Sequence, residues 1–218
     1  KHNLTVIEDA AQAMGAFYKK KHAGTFGKIS AFSTHPLKNL NALGDGGFII
    51  TNERKLYNKI KLYRSHGLKG RDNVEIIGVN SRLDSLNAEV LKFRLKRLKN
   101  VISRRLKNIS LYKKIIKTNK VKIIKDKLTE NNAYVMFITF CEKRDLLQKY
   151  LNKFNIQTLV YYKMPLHLHK ATRFLGYKRG DFPKAEKLLK KVLSFPHHQH
   201  LKKNEIKFVS KKINDFYK

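Results

Sequence analysis

Lys38 lies in the run Phe32-Ser33-Thr34-His35-Pro36-Leu37-Lys38-Asn39-Leu40, between the end of a strand pattern and the glycine-dense turn Gly44-Asp45-Gly46-Gly47. In a chain this rich in cations a loop lysine is ordinarily just solvated. This one shares its loop with Ser33, close enough in sequence to serve the same ligand, and the glycines allow close backbone approach and positive φ. A lysine beside a hydroxyl suited to a phosphate is the arrangement that a pyridoxal-phosphate Schiff base requires. Two further blocks place polar groups at strand ends or helix starts, where α/β enzymes keep reactive side chains. Glu8-Asp9-Ala10-Ala11-Gln12-Ala13 ends a strand pattern in carboxylates and turns into a small-residue helix start. Its Asp9 is either a helix cap or a carboxylate facing a cationic ring nitrogen, where an ion pair holds the proton on. Gly78-Val79-Asn80-Ser81-Arg82-Leu83-Asp84 reads alone as a capped helix start, and its Asn80 and Arg82 could equally bind an anion.

The elements that must position these blocks alternate short apolar runs with helical segments, the pattern of an α/β layer architecture. Strands are predicted at 4–8, 29–32 and 48–51, and Asn52 can cap a helix running to Tyr63 with Leu56, Ile60 and Leu62 or Tyr63 inward. From Asp84 a single long helix is expected, since Leu86, Val90, Phe93, the stem of Arg97 and Val101 recur at three- and four-residue spacing. Beyond Lys117 the texture changes to strands at 134–140 and 157–161 and helices at 143–154, 183–192 and 204–216. Pro183 suits a first helical turn. A domain boundary is placed near residue 115, giving a 1–115 part with the linking helix and a smaller 116–218 domain.

Composition narrows the classes. With 48 Lys and Arg against 16 Asp and Glu the formal charge is +32, which raises nucleic-acid binding as a real alternative. The excess is spread along the chain and is mostly lysine, whereas base and phosphate readout concentrates arginine. No zinc-finger spacing, ribonucleoprotein aromatic box or basic heptad array is present. The single Cys141 allows no internal disulfide, fits a reducing compartment and lacks any flanking base pattern, so it reads as structural. His167, His169, His197, His198 and His200 lack companion carboxylates or cysteines at ligand spacing, so no metal site is assigned. No stretch approaches the ~18 apolar residues of a membrane span, and a soluble cytoplasmic protein is the default. The chain opens on Lys1 and enters a strand pattern at once, so it is expected to begin inside a longer protein.

The ordered set EDAAQA, FSTHPLKNL with GDGG, and GVNSRLD resembles the signature of the nucleotide-sugar aminotransferases of the DegT/DnrJ/EryC1/StrS family. The resemblance continues through Gln157–Tyr162, Pro165–Leu168, Leu175–Tyr177 and Gly180–Pro183. It implies an α/β fold, the C-terminal part of a pyridoxal-phosphate fold type I aminotransferase: the rest of a large cofactor-binding domain plus a small α+β domain. It makes Lys38 the catalytic lysine that holds the cofactor and shuttles a proton, and Asp9 the partner of the pyridine nitrogen. Gln12, about one helical turn on, would lie against the ring or its phenolic oxygen. Ser33 would donate to the phosphate, and Asn80, with Arg82 as a further member, would reach the phosphate of the neighbouring subunit's cofactor, which implies a homodimer. The implied reaction moves an amino group from glutamate to a keto carbon of a nucleotide-linked deoxysugar, and the segment 162–183 is most similar to members acting on 3-keto-6-deoxy sugars.

Asn41 stands where the family commonly has glycine, and Tyr161 where histidine is common, departures that touch substrate contacts more than cofactor chemistry. The upstream phosphate loop and ring-stacking aromatic of the family fall outside this chain, so the 218 residues alone are expected to be inactive, and a catalytically inactive remnant is the competing reading. A sugar dehydratase of the family would carry histidine at the position of Lys38. For the charge the expectation is that DNA or RNA binding is weak, indifferent to sequence and lost steeply with salt. Titration of labelled duplexes of two unrelated sequences at low and physiological ionic strength checks it, and tight sequence-selective binding at the higher salt would overturn it.

Overall fold

The computed structural model describes residues 2–218 and divides into two compact units. One unit comprises Lys1–Ile102 with Asp126–Val135, the other Ser103–Lys125 with Met136–Lys218. A ten-residue stretch, 126–135, thus returns to the first unit from further along the chain.

In the first unit β1 (Ile7–Asp9) is followed by the short strands β2 (Phe17–Tyr18) and β3 (Lys21–His22), then β4 (Ile29–Ser33) and β5 (Gly47–Ile50). β1 runs parallel to β4, and β5 pairs antiparallel on the other side of β4. Alternation across the pleat sorts the side chains. Ser30 and Phe32 point into the unit with Ala10, and Phe32 stacks on Phe48 with ring centroids 5.0 Å apart. The other face carries Ile7, Asp9, Ala31 and Ile49, and it stays exposed, Ile7 by 72% and Ile49 by 49%. β2 also pairs with β7 (Glu130–Asn131), the element that brings 126–135 back.

The helix α1 (Arg54–Tyr63) starts after Glu53 rather than Asn52, and Leu56, Ile60 and Leu62 are half-buried as expected of its inner side. The single long helix expected from Asp84 is instead two, α2 (Ser85–Leu95) and α3 (Leu98–Ile115). The face expected to be buried is also corrected. Leu91 and Leu98 enter a cluster with Leu40 and Ala42, while Leu86 and Phe93 stay exposed. Apolar residues occur all around α2, so the spacing could not choose between its faces.

The second unit has an antiparallel sheet ordered β6 (Val121–Ile123), β8 (Ile138–Cys141), β9 (Val192–Ser194). Leu147 and Leu151 of α4 (Arg144–Asn152) and Ile206, Val209 and Ile213 of α6 (Lys203–Phe216) are buried at three- and four-residue spacing. Pro183 opens α5 (Pro183–Leu189), which ends before Val192 because that residue belongs to the sheet. The strand expected at 157–161 reduces to a bridge between Leu159 and Ser194, and the one expected at 134–140 begins only at Ile138. Cys141 is fully buried, and burial pushes its thiol up to about 11, against the weaker pull of Thr139 and Arg144. No helix among the described residues is long and apolar enough to cross a membrane.

Tyr112 of α3 packs against Phe137 and Phe195, fully buried, and its hydroxyl has no hydrogen-bond partner. A buried polar atom left unsatisfied costs stability, so Tyr112→Phe should leave the unfolding free energy unchanged or raise it by about 1 kcal/mol. Phe137→Ala, which opens a cavity beside it, should cost about 3–5 kcal/mol. Urea unfolding of the two variants checks both, and a clear loss in Tyr112→Phe would mean that the hydroxyl has a partner in solution.

Candidate active site

Asp9 and Ser33 close the C-terminal ends of adjacent strands. Asp9 stands opposite Ala31 in the parallel register and Ser33 lies two residues on, so the two share the exposed face with Cα atoms roughly 8 Å apart by strand spacing. Asp9 Oδ1 accepts the N–H of Ala11 at 3.0 Å, and the chain then turns rather than entering a helix. Ala13 N–H bonds Ala10 C=O and Ala16 N–H bonds Ala13 C=O. Gln12 thus sits exposed on this turn, a correction to the helical placement, since small residues are as compatible with turns as with a first helical turn. Glu8 faces the other way. Its carboxylate accepts the N–H groups of Gly24, Phe26 and Gly27, closing the loop between β3 and β4. Burial acts to raise this carboxyl, but the Gly27, Gly24 and Phe26 bonds and the Lys21 ammonium outweigh it and hold the group below its ordinary value.

Lys38 is half-buried, and among the described residues its ammonium has no hydrogen-bond or ion-pair partner. The loop beneath it is tied at several points. Thr34 N–H donates to Gly46 C=O at 2.8 Å, Ala42 N–H to Thr34 C=O at 2.7 Å, and Asn41 Nδ2 to Pro36 C=O at 2.9 Å. Three side chains, one of the loop and two of α2, add ties to the rest of the unit that the sequence did not reveal. The buried Asn39 donates through Nδ2 to Ala133 C=O at 2.7 Å, Asn87 Oδ1 accepts Leu43 N–H at 3.0 Å, and Arg94 Nη1 donates to Asn41 C=O at 2.7 Å and Ala42 C=O at 3.2 Å. The only available signal was polar residues interrupting an apolar helix. Gly47 is needed where it stands, because a Cβ there would lie 2.5 Å from Phe32 C=O.

Asn80 and Arg82 sit together, Arg82 Nε donating to Asn80 Oδ1 at 3.0 Å. They line an open cleft of about 750 Å³ with Ser81, Asp84, Gly46 and Gly47. Gly47 is the ladder partner of Ser33, so the cleft adjoins the end of β4. Asp84, the residue before α2, makes no side-chain cap bond, which leaves first-turn N–H groups of that helix for an anion. An acceptor carboxylate and a hydroxyl on one open face, a lysine without a partner among the described residues, and an uncapped helix start beside an arginine form a set of groups that fits a phosphorylated, cationic ring.

A model of the DegT/DnrJ/EryC1/StrS aminotransferase family matches residues 1–214, and the chain belongs to that family. Its fold is that of the pyridoxal-phosphate-dependent sugar aminotransferases. It superimposes on Streptomyces venezuelae DesV, solved with a ketimine intermediate, with a TM-score of 0.94 at 32% identity, over 99% of this chain and 58% of that one. Among curated relatives it is 38% identical to the pleiotropic regulatory protein of Geobacillus stearothermophilus, over 100% of this chain and 59% of the relative. It is 36% identical to the dTDP-3-amino-3,6-dideoxy-alpha-D-galactopyranose transaminase of Aneurinibacillus thermoaerophilus, over 99% of this chain and 59% of the relative. The chain thus spans about three-fifths of the length of these relatives. Pyridoxal phosphate is the cofactor of the family, and a putative sugar aminotransferase from Streptococcus pneumoniae with the same fold has been solved in forms with and without it.

The Glu8 contacts generate a pH-dependent prediction. Because the folded-state value lies below the ordinary 4.5, the stabilisation is present above 4.5 and is lost as pH falls through the depressed value. Glu8→Gln should cost about 1–2 kcal/mol near neutral pH. Unfolding of both proteins from pH 7 downward should show the difference shrinking below 4.5, whereas a constant difference would assign the effect to shape rather than charge.

Proposed function

We propose that this chain is the catalytic-lysine part of a pyridoxal-phosphate-dependent aminotransferase that moves an amino group from glutamate to a keto carbon of a nucleotide-linked deoxysugar. The observation that carries this reading is Lys38, an ammonium without hydrogen bond or ion pair among the described residues, on a loop tied down at seven backbone and side-chain contacts. When bound, pyridoxal phosphate supplies an electron-withdrawing ring through which the amino group passes between donor and acceptor. Lys38 Nζ is the point of covalent attachment and, once released, the base that carries a proton between carbons. Asp9 keeps the proton on the ring nitrogen, and Gln12 rests against the ring or its phenolic oxygen. Ser33 Oγ holds the phosphate. In a homodimer Asn80 and Arg82, presented in the open cleft rather than folded inward, serve the phosphate of the partner subunit's site.

A 3-keto-6-deoxy sugar is the favoured acceptor. Supporting it, the transaminases of Aneurinibacillus thermoaerophilus and Streptomyces venezuelae that resemble this chain at 36% and 33% identity both bear names placing the amino group at carbon 3. The division into a 1–115 cofactor-binding part and a 116–218 small domain, and residence in the cytoplasm, belong to the same reading. The exposed Ile7 and Ile49 beside Asp9 and Ser33 favour a site that is incomplete in these 218 residues, so the isolated chain should not turn over.

Incubation with pyridoxal phosphate, borohydride reduction and peptide mapping should place the pyridoxyl label on Lys38 ahead of the other lysines. Lys38→Ala should remove that label, and preferential labelling elsewhere would overturn the assignment. Glutamate should not shift the cofactor spectrum of the isolated chain, and a clear shift at ordinary glutamate concentrations would show that the site is complete.

A further inference from the structure

The Lys38 loop is held from outside by one cation. Arg94 lies in the last turn of α2, half-buried, and no carboxylate pairs with it. Its Nη1 is shared between the carbonyls of Asn41 and Ala42, three and four residues after Lys38. Those carbonyls sit at the base of the loop, where the buried Ala42 returns its own N–H to Thr34 C=O. About two turns earlier on the same helix, Asn87 Oδ1 accepts the N–H of Leu43. A guanidinium bonded to two successive carbonyls fixes the direction of both peptide planes, which one neutral bond does not. The backbone carrying Lys38 is therefore splinted to α2 rather than left to the flexibility of its own turns.

We propose that Arg94 is a positioning residue: it acts through the Asn41 and Ala42 carbonyls to fix the loop that presents Lys38 Nζ. This rests on the reading of Lys38 given above. It requires no contact between Arg94 and any ligand.

Three variants of the chain separate positioning from bulk stability. Arg94→Met keeps an apolar stem but removes the donors, Arg94→Lys keeps a cation with a single ammonium, and Arg94→Ala leaves room for an added guanidinium ion. The rate of pyridoxyl incorporation at Lys38, normalised to the other lysines of the same sample, is measured with amide exchange across 39–43 and the urea midpoint. The expected result is about tenfold slower incorporation at Lys38 in Arg94→Met, the scale of losing charge-assisted bonds. Exchange across 39–43 should be faster at an essentially unchanged midpoint. Arg94→Lys should fall between, and ethylguanidinium should restore part of the rate in Arg94→Ala only. Equal incorporation at Lys38 in Arg94→Met and the unaltered chain would overturn the proposal, as would a slowing that tracks a lowered midpoint and ignores ethylguanidinium. Absence of preferential Lys38 labelling in the unaltered chain would instead overturn the reading of Lys38 and this inference with it.

Discussion

Ser33 and Gly47 are partners across the β4–β5 ladder, so the residues 34–46 must leave the sheet and come back to nearly the same point. That single closure constrains everything near the candidate site. A loop of this length closes at modest entropic cost but has many ways to do so, and a lysine on an untied loop would sample many positions. Here the loop is folded on itself at Thr34, Ala42 and Gly46 and then fastened to Ala133, Asn87 and Arg94. The effect is to leave Lys38 as the member of the loop with a free polar end, while its neighbour Asn39 is buried. Thr34 Oγ1 and Asn39 Oδ1 are buried without partners, so the tie-down is bought with two unsatisfied acceptor atoms.

The legible parts of the sequence were those governed by local rules. β4, β5, α1, α4 and α6 appear within a few residues of their expected bounds, because alternation and three-to-four spacing act over a handful of positions. The turn after Asp9 was misread because Ala10-Ala11-Gln12-Ala13 has no residue that forbids either a turn or a helix. The second sheet was read only in part, since β6 and β9 are three residues each and owe their existence to β8 between them. The return of 126–135 to the first unit is a pairing of two-residue strands more than 100 positions apart, β2 with β7, and no local pattern encodes it.

The candidate site divides in the same way. Lys38, Ser33 and Asp9 could be put forward because they lie at strand ends or beside a glycine-dense turn and because their blocks resemble those of the family. Asn39, Asn87 and Arg94 could not, since each owes its role to a backbone group 44 to 94 positions away. Glu8 and Asp9, adjacent in sequence, take different tasks simply because successive strand side chains point to opposite faces. Glu8 is spent on three backbone N–H groups, whereas Asp9 uses one oxygen locally and faces the open side.

The lopsided charge also shapes the interior. With three cations for every acid, most of the cations have no carboxylate to pair with. Backbone oxygens also serve as partners: Arg94 holds Asn41 and Ala42, and Arg144, whose Nε pairs with Asp145, donates Nη1 to Val192 C=O. A carbonyl partner has no pKa in the working range and cannot be neutralised by acid, so these contacts persist where a salt bridge would be lost. At Arg94 it also leaves the net charge of the contact at +1, which adds to the self-repulsion of a chain already at +32. At the base of the Lys38 loop, then, ordered backbone oxygens rather than a carboxylate seat the cation that holds the segment.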